Sequence, residues 1–136
     1  MTDLGFTHIA LEVSDMARSL DFYERFAALS VVHRRPRTDH SQEVIWLADG
    51  LRPFVLVLIE TDRVRTPLKP MAHLGIAVES TAEVERLADL AREEGILSRE
   101  PEDSGPPVGY WALLCDPDGH TLEIAFGQDM SGATVI

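Results

Sequence analysis

Two segments of this chain repeat each other. Thr7-His8-Ile9-Ala10-Leu11-Glu12-Val13 and Ala72-His73-Leu74-Gly75-Ile76-Ala77-Val78 each place a histidine second, alternate bulky and small residues and end in valine, and the two histidines are separated by just under half the chain. Each segment runs at once into a helix-start signal, Ser14-Asp15 in the first and Ser80 in the second. Farther on, Asp49-Gly50 and Asp118-Gly119, at almost the same separation as the histidines, each precede an apolar strand. Three landmarks in one order at a nearly constant offset indicate a duplication. Whatever one half folds into, the other must fold into as well. Half of 136 residues is short for an independent domain, so the halves are expected to share one structure.

Each half reads as strand, helix, strand, strand, strand, an α+β pattern. The first helix is expected from about Asp15 to Ala28, with Leu20, Tyr23, Phe26 and Ala27 as its buried stripe. In the second half Ser80-Thr81-Ala82-Glu83 spells a capping box, with Val84, Leu87, Leu90 and Ala91 as the stripe and Gly95 as the left-handed stop. After the two repeated strands, further strands are expected over about Ser30–Arg35, Gln42–Ala48, Phe54–Glu60, Ile96–Arg99, Tyr110–Cys115 and Thr121–Phe126. Module one therefore covers about 5–60, a linker with Pro67 and Pro70 about 61–71, and module two about 72–127. The residues from Gln128 form an irregular tail, and Pro101–Val108 reads as a loop inside module two.

Alternation along a strand sends successive side chains to opposite faces. Ile9, Leu11 and Val13 suit a helix-covered face, as do Leu74, Ile76 and Val78, and Leu122, Ile124 and Phe126. The opposite face carries His8 with Ala10, His73 with Gly75 and Ala77, and Glu123 with Ala125. One potential ligand flanked by small residues recurs three times, which clears space above a sheet. Two imidazoles and a carboxylate with open positions form a catalytic type of metal site, and a metal would also offset the cost of burying Glu123. Hydrogen-bonded scaffold is the alternative for each residue taken singly.

The 12 Lys and Arg against 23 Asp and Glu leave a net charge of −11, which disfavours nucleic acid and anionic membrane as partners. The Arg34, Arg35 and Arg37 cluster reads as a solvated strand end and loop. A single cysteine, Cys115, permits neither an intrachain disulfide nor a cysteine-based zinc site. With no membrane-length apolar run and no signal-peptide pattern at Met1 to Ala10, a cytoplasmic location is expected.

Over about residues 5–127 these motifs resemble the vicinal oxygen chelate superfamily of glyoxalases, bleomycin resistance proteins, extradiol dioxygenases and fosfomycin-modifying transferases. The resemblance rests on Thr7–Asp15 with Ser19-Leu20-Asp21-Phe22-Tyr23, on Ala72–Val78, and most specifically on Asp116-Pro117-Asp118-Gly119-His120-Thr121-Leu122-Glu123-Ile124. It implies two fused βαβββ modules whose curved mixed sheets surround a metal cup, with His8, His73 and Glu123 on three of the family's ligand positions. It further implies a divalent transition metal (Fe, Mn, Zn, Ni or Co), a small chelating substrate, and a homodimer in which the site can be shared between chains. Val57 falls on the fourth ligand position, where it cannot ligate, and Glu60 is expected to face away. A three-ligand set is closer to the dioxygenase and fosfomycin-transferase branches than to four-ligand glyoxalases. Tyr110 is the catalytic acid–base candidate, packing or a rim position being the preferred reading of it, with His33, His40 and His120 as further candidates, although His120 reads as the end of a turn. Trp46 and Trp111 either floor an aromatic-substrate pocket or fill core, core being the preferred assignment. The implied function is metal-dependent chemistry, dioxygenase-like, or of the glyoxalase, lyase or thiol-transferase type. The alternative is metal-free ligand binding of the bleomycin-resistance type.

Overall fold

The computed structural model describes residues 2–37, 41–69 and 71–133. Met1, residues 38–40, Pro70 and residues 134–136 lie outside the described residues, and with them the acid–base candidate His40 and one linker proline. The chain divides into two compact units, Met1–Pro67 and Leu68–Ile136, and the division falls inside the expected linker.

The first unit contains β1 (His8–Val13), α1 (Met16–Ala27), β2 (Ser30–Pro36), β3 (Glu43–Ala48) and β4 (Val55–Glu60). The second contains β5 (Leu74–Ala77), α2 (Thr81–Glu93), β6 (Leu97–Asp103), β7 (Tyr110–Cys115) and β8 (Thr121–Phe126). Their sheets have one topology: β1-β4-β3-β2 and β5-β8-β7-β6, with the first pair parallel and the others antiparallel. The fold is thus the expected α+β duplication of a βαβββ module, and each sheet is mixed.

In each sheet one face is apolar and buried. Leu11, Leu58 and Ile45 form one cross-strand row of the first, and Leu56 with Leu47 another, all at most 5% exposed. Leu122 with Leu114, and Ile124 with Ala112, do the same in the second, all at most 1% exposed. Asp15 caps α1 by accepting from the Arg18 N–H at 3.2 Å. The inward face of α1 differs from the expected stripe: Met16, Ser19, Phe22, Tyr23 and Phe26 are buried, while Leu20 and Ala27 are only half-buried. Phe22 decides this, packing edge-on to Tyr23 at 4.9 Å and tilted to Phe26 at 5.0 Å. An aromatic trio buries more area than Leu20 and Ala27 could, so the helix turns that face inward. In α2, which packs on β6, β7 and β8, Ala88 replaces Leu90 in the buried set of Val84, Leu87 and Ala91.

Ser80 caps α2 through the Glu83 N–H at 3.0 Å. The other half of the expected capping box is absent among the described residues, because the Glu83 carboxylate is taken by both prongs of the Arg86 guanidinium, at 2.9 and 2.6 Å. Gly95 ends the helix region at φ +74°, as expected. β6 continues to Asp103, into the expected loop. It is an edge strand with two register shifts, a setting in which Pro101 costs no ladder bond.

Helix α1 ends on Ala28 at φ 53° and ψ 36°, a left-handed position that glycine fills without the Cβ penalty. Ala28→Gly is therefore expected to stabilise the protein by about 0.5–1 kcal/mol after the entropy that glycine adds to the unfolded chain. Thermal unfolding checks this; a lower melting temperature would contradict it.

Candidate metal centre

The β5–β8 pairing sets Gly75 opposite Glu123, and His73, just before β5, shares that face by alternation. His73 Nε2 stands 3.9 Å from Glu123 Oε1, beyond hydrogen-bond reach. His73 Nδ1 lies 2.8 Å from the Met71 carbonyl oxygen. A carbonyl only accepts, so Nδ1 carries a proton, and in the neutral ring Nε2 turns a lone pair toward the carboxylate. Two lone-pair atoms facing each other without a proton between them fit adjacent ligands of one cation. At metal–ligand distances of about 2.0–2.2 Å such atoms stand roughly 3–3.5 Å apart, so a small side-chain shift completes the pair.

Glu123 is only 12% exposed at its side chain, and its Oε2 accepts from Gln128 Nε2 at 3.2 Å. A Cβ on residue 75 would stand 3.5 Å from that oxygen, an ordinary van der Waals contact, so a small residue suffices beside the carboxylate. A neutral amide cannot balance a buried negative charge, whereas a cation between Glu123 and His73 would. Sequence reasoning missed both supporting groups, Gln128 and the Met71 carbonyl. No residue type signals a backbone acceptor, and Gln128 falls in the expected irregular tail.

In the first unit His8 opens β1, exposed, with Nδ1 2.8 Å from Thr7 Oγ1. Two residues on, Ala10 is in register with Val57, as Gly75 is with Glu123. Val57 thus occupies in the first sheet the position Glu123 occupies in the second, and it is 6% exposed. Glu60 is opposite Val13 on the helix-covered face. Its carboxylate accepts the Met16 N–H at 3.3 Å and the Glu43 N–H at 3.1 Å, which makes it a structural cap. Among the described residues no three His, Cys, Asp or Glu side chains gather into one group; the pair that closes within one unit is His73 with Glu123.

Tyr110 is elsewhere. It is in register with Phe126, on the face opposite Glu123, and its hydroxyl donates to the Glu85 carboxylate of α2. That hydrogen bond, with burial and the negative charge adding to it, pushes the phenol above its ordinary value. The sheet therefore separates Tyr110 from the ligand pair. His120 is 2% exposed: its Nδ1 accepts the Leu68 N–H at 2.9 Å, and its own N–H donates to Asp116 Oδ1 at 2.9 Å. Asp116 accepts the turn's N–H groups, as Asp49 does in module one. The Leu51 and Arg52 N–H groups, with the Arg52 side chain, hold the Asp49 carboxyl at about 2.

The tryptophans correct the core assignment. Trp46 and Trp111 are both half-buried, and both stand on the ligand-bearing face: Trp46 is in register with Val57, and Trp111 with Ala125. His33 packs against Trp46 with ring centres 5.0 Å apart, and the Arg99 guanidinium carbon stands 4.7 Å over the Trp111 ring. Their separation along the chain equals that of His8 and His73, yet the register sets Trp111 one pleat away from Leu113, the counterpart of Trp46.

The arginine cluster is structural in part. Arg34 pairs across strands with Glu43 at 2.8 Å, and Arg37 Nη1 donates to the Glu60 carbonyl at 2.5 Å. Arg37 also lines a cleft of about 340 Å³ with Gln42, Thr61, Asp62, Arg63 and Arg65, past the end of β4 and at the far end of the sheet from His8.

Residues 5–124 match the family model described as the Glyoxalase/Bleomycin resistance protein/Dioxygenase superfamily. An uncharacterized protein of Pseudomonas aeruginosa is 35% identical over 127 residues, covering 91% of this chain and 89% of its own length. A protein of Vibrio cholerae named "Probable lactoylglutathione lyase" is 26% identical over 129 residues, covering 91% of each chain. Among solved structures, a mutant of the fosfomycin resistance protein FosX of Listeria monocytogenes, complexed with Mn(II) and 1S,2S-dihydroxypropylphosphonic acid, superposes with a TM-score of 0.71. That match has 17% identity and covers 98% of this chain and 100% of that one, a likeness of fold alone. No helix among the described residues is long and apolar enough to cross a membrane.

Proposed function

Because the chain belongs to the glyoxalase/bleomycin resistance protein/dioxygenase superfamily, we propose that it is a metal-dependent enzyme acting on a small substrate that chelates through two neighbouring oxygens. His73, Glu123 and His8 are its protein ligands. The single observation that carries this reading is the His73–Glu123 pair, with the imidazole tautomer fixed by the Met71 carbonyl so that Nε2 is free to ligate. A bound Fe, Mn, Zn, Ni or Co ion would supply Lewis-acid stabilisation of charge developing on the substrate oxygens.

The chain's own residues do the rest. Gln128 holds the Glu123 carboxylate in place, and Gly75 and Ala125 keep the neighbouring positions small. Val57 withholds a fourth protein ligand, which leaves more positions for substrate and favours dioxygenase or thiol-transferase chemistry over the four-ligand glyoxalase type. With Tyr110 on the far face, proton transfer is left to the substrate, to water or to His33. The second reading, ligand capture without chemistry, is favoured by one observation, the two half-buried tryptophans beside the ligand positions.

The test is metal analysis of protein purified without chelator, alongside Val57→Glu. The wild type is expected to carry about one transition ion per chain. A carboxylate at residue 57, where the valine is 6% exposed, costs several kcal/mol unless a cation meets it. Val57→Glu should therefore melt below the wild type when metal-free and gain more from added Mn or Zn than the wild type does. A protein that takes up no metal in either form would end the metalloenzyme reading.

A further inference from the structure

We propose that the Trp111 indole, with Arg99, is the substrate-recognition surface of the second module, and that it selects a planar, conjugated ligand bearing an anionic group. The proposal rests on the reading that the His73–Glu123 face of the sheet receives the substrate, and it names the class of that substrate.

Cross-strand register builds two rows on this face. One runs Arg99–Leu113–Glu123–Gly75, and the next runs Glu102–Trp111–Ala125–Ala77. Trp111 thus stands one strand over and one pleat along from the ligand carboxylate, within the span of a single substituted ring. The ring is held in place: Nε1 donates to Ser104 Oγ at 2.9 Å, and Arg99 stands over the ring at 4.7 Å. Only one prong of the Arg99 guanidinium, Nη2, is engaged among the described residues, by Glu102 at 3.1 Å, and the side chain is 51% exposed. A positive charge stacked on an indole beside a half-buried ligand position can meet a carboxylate or phosphate while the indole meets a flat π-system.

Both modules offer an indole on this face, although not at one place. Trp46 is opposite Val57, the counterpart of Glu123, whereas Trp111 is opposite Ala125, one pleat along from Glu123, each on the third strand of its module. Each is flanked from the second strand by a side chain able to carry positive charge, His33 in one module and Arg99 in the other. A tryptophan gains most when fully buried, and neither of these is.

Because the two indoles are the only ones present, Trp46→Phe leaves Trp111 as the sole reporter in a fluorescence titration. The probe is 4-nitrobenzoate, which is planar, anionic and quenches indole. Saturable quenching is expected, with cyclohexanecarboxylate, equally charged but not flat, competing at least tenfold more weakly. Arg99→Gln should weaken 4-nitrobenzoate about tenfold and leave the neutral 4-nitrobenzyl alcohol unchanged. In protein that keeps Trp46, Trp111→Leu should lose binding by direct calorimetry, and Trp111→Phe should retain most of it. Purely linear quenching, equal binding of cyclohexanecarboxylate, or an equal effect of Arg99→Gln on both nitro probes would overturn the proposal. Metal content is measured on the same samples and is expected to be unchanged by these variants. Normal metal with no saturable binding removes the platform alone; binding intact in a protein that takes up no metal removes the metal reading alone.

Discussion

His73→Ala is expected to lower bound metal from about one ion per chain to below about a tenth, with turnover lost in parallel. In the proposed site the imidazole is one of three ligands, and its described neighbours on that face do not replace it: Gly75 follows without a side chain, and Gln128 is already engaged with Glu123. Loss of an outer-shell partner alone typically costs 10–100-fold in metal affinity, so loss of the ligand itself should cost on the order of a thousandfold. Glu123→Gln, which keeps the shape and removes the charge, should do the same, whereas His33→Ala should leave metal content unchanged. Elemental analysis after gel filtration measures all three, and a His73→Ala protein with full metal content would sink the ligand assignment.

Gly109→Ala should be far more destabilising than Gly127→Ala in the second unit. Gly109 has φ +86°, and a Cβ there would stand 2.4 Å from the Phe126 carbonyl oxygen, 2.9 Å from the Gly127 carbonyl carbon and 3.0 Å from the Gln128 nitrogen. All three are backbone atoms at or just past the end of the strand that carries Glu123, so no rotamer change relieves the clash. Either β7 and β8 separate at their Tyr110–Phe126 end or Gln128 moves away from the carboxylate it holds. A loss of roughly 3 kcal/mol or more is expected from left-handed strain and overpacking together. Gly127→Ala is the control: its φ is +81°, yet a Cβ there meets nothing within 4 Å, so only the conformational cost applies, about 1–2 kcal/mol. Urea unfolding compares them, and equal midpoints would show that the close approach is immaterial.

The features legible in the sequence were those set by local period. Both helices, their caps at Asp15 and Ser80, and the strands Tyr110–Cys115 and Thr121–Phe126 follow from alternation and turn chemistry. The duplication then carried the topology from one module to the other. What stayed hidden depends on register between strands. Tyr110 looked like a rim residue because its side of β7 relative to Glu123 is unknown until Leu113 is known to lie opposite Glu123; that pairing sends odd-numbered residues to the ligand face and Tyr110 to the helix. The same missing register sent the two tryptophans to the core. Ser19 in the buried stripe of α1 was invisible for another reason: hydrophobic period does not foresee a hydroxyl drawn inside by the aromatic residues on either side of its face.

The parallel pairings that unite the site residues also decide when they meet. Within β2–β3 the strands join across a short connection, as Pro36 does with Glu43. His8 instead pairs with Val55, and Leu74 with Leu122, each across a helix and two intervening strands. Closing loops of that length costs chain entropy before any contact repays it, so hairpins should form early and β1 and β5 should dock late. His73 and Glu123 come within reach of one ion only at that last step. An ion would therefore bind a nearly finished unit and act mainly as a brake on unfolding, leaving the rate of folding almost untouched.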